Sequence, residues 1–102
     1  MNKYSIKYSE EAKQDLLGIK KYIKYTLKEP NIAEKNIFKI KETIKKLKEN
    51  ADIYRIIGDD FIKKLEIRKI MIDNYIIFYR IKDETVEIVR IMNQRRNWLN
   101  LL

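Results

Sequence analysis

Apolar side chains follow two different periods along the chain. Over residues 4–8 they alternate, with Tyr4, Ile6 and Tyr8 on one face and Ser5 and Lys7 on the other, as in a short strand. The period then lengthens. Ala12, Leu16, Ile19, Ile23 and Leu27 recur at steps of four, three, four and four, while Lys13, Lys20, Lys21, Lys24 and Lys28 fall mostly on other faces, which predicts an amphipathic helix. Ser9 stands before it as an N-cap hydroxyl, and Glu10 and Glu11 suit the positive end of its dipole. Glu29-Pro30 ends it, because proline disfavours helical geometry in the preceding residue. A second stripe, Ala33, Ile37, Ile40, Ile44 and Leu47, predicts another helix, capped by Asn31 with Glu34 in the reciprocal position. So short a link makes an antiparallel hairpin, and neither helix covers its stripe without a sheet beneath it.

Residues 50–60, containing Gly58-Asp59-Asp60, read as a loop around a short apolar piece at 53–57. Three segments rich in Ile, Val, Tyr and Phe follow, at 61–72, 75–81 and 86–92, separated by Asp73-Asn74 and by Lys82-Asp83-Glu84-Thr85. They predict an antiparallel meander, with the doubly apolar 75–79 as its central strand. The expected fold is therefore α+β: an N-terminal strand, an antiparallel helical hairpin, then a three-stranded antiparallel meander (β-α-α-β-β-β), with the helices on one sheet face and the other face or its rim free.

The chain has 102 residues, 45% of them apolar, enough for one core and too few for two, so residues 1–102 are read as a single domain. The absence of cysteine removes disulfides and thiolate chemistry, and the absence of histidine argues against zinc sites and Ser-His-Asp hydrolysis. No metal or cofactor is expected. Apolar runs are far too short to span a membrane, so a soluble, cytoplasmic protein is expected, with no membrane partner. The 23 Lys and Arg outnumber the 15 Asp and Glu, and the resulting +8 favours nucleic acid or an acidic protein as partner.

Candidate chemistry rests on the cations. Arg90, Arg95 and Arg96 stand near Trp98 in a stretch without acids, a combination suited to phosphate contact and stacking or, equally, to core packing with the arginines paired to acids. Arg68 and Lys69 fall on opposite faces of a predicted strand, where a cross-strand partner such as Glu66 or Glu87 is the bland alternative. The helical lysines, Lys39, Lys41, Lys45, Lys46 and Lys48 among them, read as a solvated face. With two glycines, no phosphate-cradling loop is present.

Three passages carry a resemblance to the RelE/ParE toxin superfamily over essentially the whole chain: residues 4–16 (YSIKYSEEAKQDL), residues 67–79, and residues 89–98 (VRIMNQRRNW). The resemblance implies a growth-inhibiting toxin of a type II toxin-antitoxin system, neutralised by a cognate antitoxin, commonly an acidic, partly disordered chain that wraps the hairpin and the sheet edge.

It leaves two targets open, the ribosome with its mRNA and DNA gyrase, because RNA endonucleases and gyrase inhibitors share this scaffold. RNA-cleaving members typically carry an arginine directly after the strand aromatic, where this chain has Ile76 after Tyr75. An apolar side chain there cannot stabilise a pentavalent phosphate, and such a loss typically costs about 2.7–4 kcal/mol of transition-state stabilisation. A catalytic cluster would have to be rebuilt from Arg68, Lys69, Arg90 and Arg96. For a gyrase inhibitor, Arg90, Arg95, Arg96 and Trp98 form the target contact and nothing is cleaved. Asn93 replaces the family's frequent histidine or tyrosine before the final basic pair. A non-catalytic nucleic-acid-binding module, or a decayed toxin retaining only antitoxin binding, is the alternative. Oligomeric state is not legible.

Overall fold

The computed structural model describes residues 3–58 and 63–95. Strand β1 (Ser5–Tyr8) leads into helix α1 (Glu10–Lys21), whose N-cap is Ser9: its Oγ accepts the Ala12 N–H at 3.0 Å. After α1 the helix widens into a π-turn over Tyr22–Thr26, closed by Leu27 N–H donating to Tyr22 C=O at 3.1 Å. Lys28, at φ 57°, then reverses the chain.

Helix α2 (Pro30–Lys45) starts earlier than its sequence pattern indicated. Glu29 is the N-cap residue and Pro30 opens the first turn, so Asn31 lies inside the helix and does not cap it. Proline suits that place, since its missing N–H is one that a first turn leaves unpaired anyway. A short helix α3 (Leu47–Asn50) and a 3-10 turn (Ala51–Ile53) continue the path. No helix among the described residues is long and apolar enough to cross a membrane.

The remaining strands are β2 (Arg68–Ile72), β3 (Tyr75–Lys82) and β4 (Thr85–Asn93). The predicted strand at 61–72 is thus shortened: Lys63–Leu65 form a 3-10 turn, Glu66 takes φ 54°, and 59–62 lie outside the described residues. The two hairpins turn over two residues each, with Asp73 and Asp83 at φ 51° and 57°, a conformation that Asp tolerates better than most residues. Sheet order is β1-β4-β3-β2, antiparallel except that β1 runs parallel to β4.

Helices cover one face of this sheet. Ala12, Ile40, Ile44, Leu47 and Ala51 pack there against Ile70, Ile77, Tyr79, Val86, Ile88 and Ile91. The other face, of which the whole or only the rim was expected to be free, is buried over its centre: Ile76, Phe78 and Met92 cluster with Ile57, Ile67 and Val89. This accounts for the doubly apolar β3, an interior strand that buries side chains on both faces.

Candidate functional site

Register decides which predicted cations meet. Arg68 pairs with Tyr79, which pairs with Ile88; Lys69 pairs with Phe78, which pairs with Arg90. Lys69 and Arg90 therefore flank Phe78 in one cross-strand row, with backbones about 10 Å apart at normal strand spacing. Arg68, one residue away, belongs to the opposite face with Ile70 and Ile72.

On that helix-side face the Arg68 guanidinium holds a loop. Its Nη1 donates to Asp52 C=O at 3.3 Å and to Tyr54 C=O, and the Arg68 backbone bridges to Ile56. Tyr79 acts beside it: its hydroxyl donates to Ala51 C=O at 2.6 Å, and its ring meets Tyr54 edge-on at 6.4 Å. Burial pushes the Tyr79 phenol well above its ordinary range, against the smaller opposing effect of the Arg68 charge. Both side chains fasten the segment after α3 to the sheet.

Arg90 is held by Asp15 of α1. β1 flanks β4 only as far as the Tyr8–Ile88 pair, and side chains take over the exposed edge beyond it. Ser9 Oγ donates to Val89 C=O at 2.8 Å, and Asp15 Oδ2 accepts the Ile91 N–H at 2.9 Å. The same carboxylate binds Arg90 in a fork, Nε to Oδ2 at 2.8 Å and Nη2 to Oδ1 at 2.9 Å. Hydrogen bonding to Asp15 raises the Arg90 pKa above its ordinary value. Val89 is the extra residue of a bulge, since Tyr79 pairs with Ile88 and Phe78 with Arg90.

Past Arg90 the sheet ends at the Tyr75–Asn93 pair. Burial raises the Tyr75 pKa above its ordinary value, against a smaller opposing effect of the Asn36 side chain of α2. Gln94 N–H donates to Asn74 C=O at 2.8 Å, and Arg95 N–H donates to Asn93 Oδ1 at 2.9 Å. A groove of about 650 Å³ separates this end from the helices, bordered by Asp15, Tyr22, Ile32, Asn36, Tyr75 and Asn93. Arg95 is exposed, and among the described residues its guanidinium has no partner. Arg96 and Trp98 lie outside the described residues.

The predicted cations thus split between three places: Arg68 on the helix side, Lys69 and Arg90 in a row on the opposite side with Arg90 paired to Asp15, and Arg95 at the sheet end. Ile76, where a nuclease arginine would stand, is 3% exposed within the second apolar cluster. Asp15 and Asn36 were missed as site residues. Asp15 did carry a signal, an acid three residues after Ala12 and four before Ile19, on the stripe that α1 turns toward the sheet.

The family model described as ParE toxin of type II toxin-antitoxin system, parDE, matches residues 6–98. No curated protein sequence matches. Among solved structures, the chain is similar to the chromosomal ParDE toxin-antitoxin system from P. aeruginosa, with a TM-score of 0.75 and 22% identity over 89% of this chain and 96% of that one. It is also similar to the RelBE2 toxin-antitoxin complex from Mycobacterium tuberculosis, with a TM-score of 0.59 and 17% identity over 91% of this chain and 93% of that one.

Proposed function

The chain belongs to the ParE toxin family of type II toxin-antitoxin systems, and from that membership we propose that it is a growth-inhibiting toxin, neutralised by a cognate antitoxin, that acts on DNA gyrase without cleaving RNA. The observation that carries this reading is Ile76. It is packed with Phe78, Met92, Ile57 and Ile67, so the position after Tyr75 supplies hydrophobic burial and no charge. Arg68 and Arg90, two of the cations a rebuilt nuclease site would need, are occupied by loop carbonyls and by Asp15. In this reading Arg95, Arg96 and Trp98 make the target contact, and Arg90 braces the end of β4 that precedes them in sequence.

A supercoiling assay with purified gyrase tests it. Relaxed plasmid incubated with gyrase and ATP should be supercoiled more slowly, or trapped as cleaved DNA, when the purified chain is added, and its antitoxin should reverse the effect. Unimpaired gyrase, together with mRNA cut on translating ribosomes by the same preparation, would overturn it.

A further inference from the structure

The π-turn after α1 interrupts the apolar stripe of that helix. Ile23 is 4% exposed and Leu27, four residues on, is 51% exposed, although an α-helix would bring them to one face. The bond from Leu27 N–H to Tyr22 C=O spans one residue more than an α-helical bond, so each residue turns less far about the axis and Leu27 falls short of the sheet. It stands at the groove of about 650 Å³, beside Tyr22 and Ile32, which are exposed as well. Tyr25 projects from the same turn at 65% exposure, with Lys24 Nζ 5.3 Å from its ring centroid. The tip of the helical hairpin thus presents four large apolar side chains to solvent, a concentration that marks an interaction surface.

The charge around them has one sign. No acid occurs between Asp15 and Glu29, an interval that contains Lys20, Lys21, Lys24 and Lys28. Lys20 is paired with Glu34 at 3.5 Å, while Lys21, Lys24 and Lys28 are exposed and have no ion pair among the described residues. Of the two acids that line the groove, Asp15 is taken by Arg90, which leaves Glu29.

We infer that this tip docks on an anionic phospholipid surface, with Tyr22, Tyr25, Leu27 and Ile32 entering the headgroup layer and Lys21, Lys24 and Lys28 meeting its phosphates. A tyrosine suits that depth, with its ring on the apolar side and its hydroxyl in the wet layer. Lysine stems lie along apolar surface while their ammonium groups stay with water and phosphate. Such contact needs no spanning helix, so the expectation of no membrane partner, which concerns spanning length, does not bear on it. Two features favour lipid over nucleic acid. Leu27 and Ile32 offer no π-face to a base, and the first arginine in the chain is Arg55, so the tip has point charges suited to a diffuse anionic layer and no planar fork for single phosphates. Vesicle binding involves no gyrase, so this inference and the gyrase reading fail separately.

The test is co-sedimentation of the purified chain with vesicles of phosphatidylglycerol and phosphatidylethanolamine in equal parts, and with vesicles of phosphatidylcholine alone. The first should bind it, more weakly as salt is raised, and the second should not. Lys21→Gln/Lys24→Gln/Lys28→Gln should bind about a hundred-fold more weakly. Lys41→Gln/Lys45→Gln/Lys48→Gln, an equal change in net charge away from the tip, should lose no more than about three-fold. Tyr22→Ser/Leu27→Ser, which keeps every lysine, should bind about ten-fold more weakly. Each variant should retain the parent's circular dichroism spectrum. The inference is overturned by no binding to the anionic vesicles, by equal losses in the two lysine variants, by a serine variant that binds as the parent does, or by an oligothymidylate that displaces the chain from the vesicles at equal phosphate.

Discussion

Asp15 grips the Arg90 guanidinium with both carboxylate oxygens, at 2.8 and 2.9 Å, across 75 residues of sequence. The side chains are 12% and 21% exposed, and the carboxylate also takes the Ile91 amide, so one residue of α1 closes the β4 edge that β1 is too short to reach. Removing either partner leaves a poorly hydrated charge without its counter-charge. Asp15→Ala should therefore cost about 2–3 kcal/mol in urea unfolding, somewhat less than the 3–5 of a fully buried pair because this one is partly wetted. Arg90→Ala should cost a similar amount, and the double variant less than the sum. An Asp15→Ala protein within about 0.5 kcal/mol of the parent would show that the pair does not hold this edge.

The Tyr79 hydroxyl gives a pH prediction. Folding holds its proton more tightly than the unfolded chain does, so the associated stability is complete below about pH 10 and is lost as pH rises through the raised folded value. Tyr8 and Tyr75 are shifted in the same direction by burial. Urea midpoints measured from pH 8 upward should fall above about pH 10, and less steeply in Tyr79→Phe. At neutral pH that variant should itself lose about 1–2 kcal/mol with the Ala51 hydrogen bond. Parallel pH curves for the two proteins would rule out Tyr79 as a source of the alkaline loss.

Much of the fold was legible in local pattern. Ser9 caps α1 as its hydroxyl predicted, and Ala12, Leu16 and Ile19 of the first stripe and Ile40, Ile44 and Leu47 of the second pack on the sheet as periodicity indicated, although Leu27, the last position of the first stripe, is exposed. Pro30 and Asn31 were harder, because both carry helix-start signals one residue apart, and the fixed proline geometry prevailed. Long-range pairing was not legible. Nothing near Tyr8 says that β1 runs parallel to β4, and no local rule joins Asp15 to Arg90. The departure at Ile76 was visible in the sequence, but its reason was not: Ile57 and Ile67, which pack with it, come from a loop and strand approach that periodicity does not describe.

Position 76 separates a core role from a vacant catalytic one. Ile76→Arg should destabilise the protein by about 3–5 kcal/mol through an unpaired charge in an apolar cluster, and Ile76→Val by only about 0.5–1.5. Thermal unfolding of the three proteins measures this. An arginine variant as stable as the parent that also cleaves mRNA would mean that the position is a site and not core.

Arg68 and Arg95 should behave oppositely. Arg68→Ala frees the carbonyls of Asp52 and Tyr54 and should lower stability by about 1–3 kcal/mol. Arg95→Ala breaks no side-chain hydrogen bond or ion pair among the described residues and should leave the melting temperature unchanged while relieving growth arrest. Growth curves after induction, read beside melting temperatures, check both; full toxicity in Arg95→Ala would remove it from the target contact.

The most direct measurement of the central claim is induction of the chain without its antitoxin, with RNA 5′ ends and plasmid supercoiling sampled within minutes of growth arrest. A gyrase-directed, non-cleaving toxin predicts intact mRNA together with relaxed plasmid or gyrase-linked breaks. New in-frame mRNA ends at ribosomal A-site positions, with supercoiling unchanged, would contradict it.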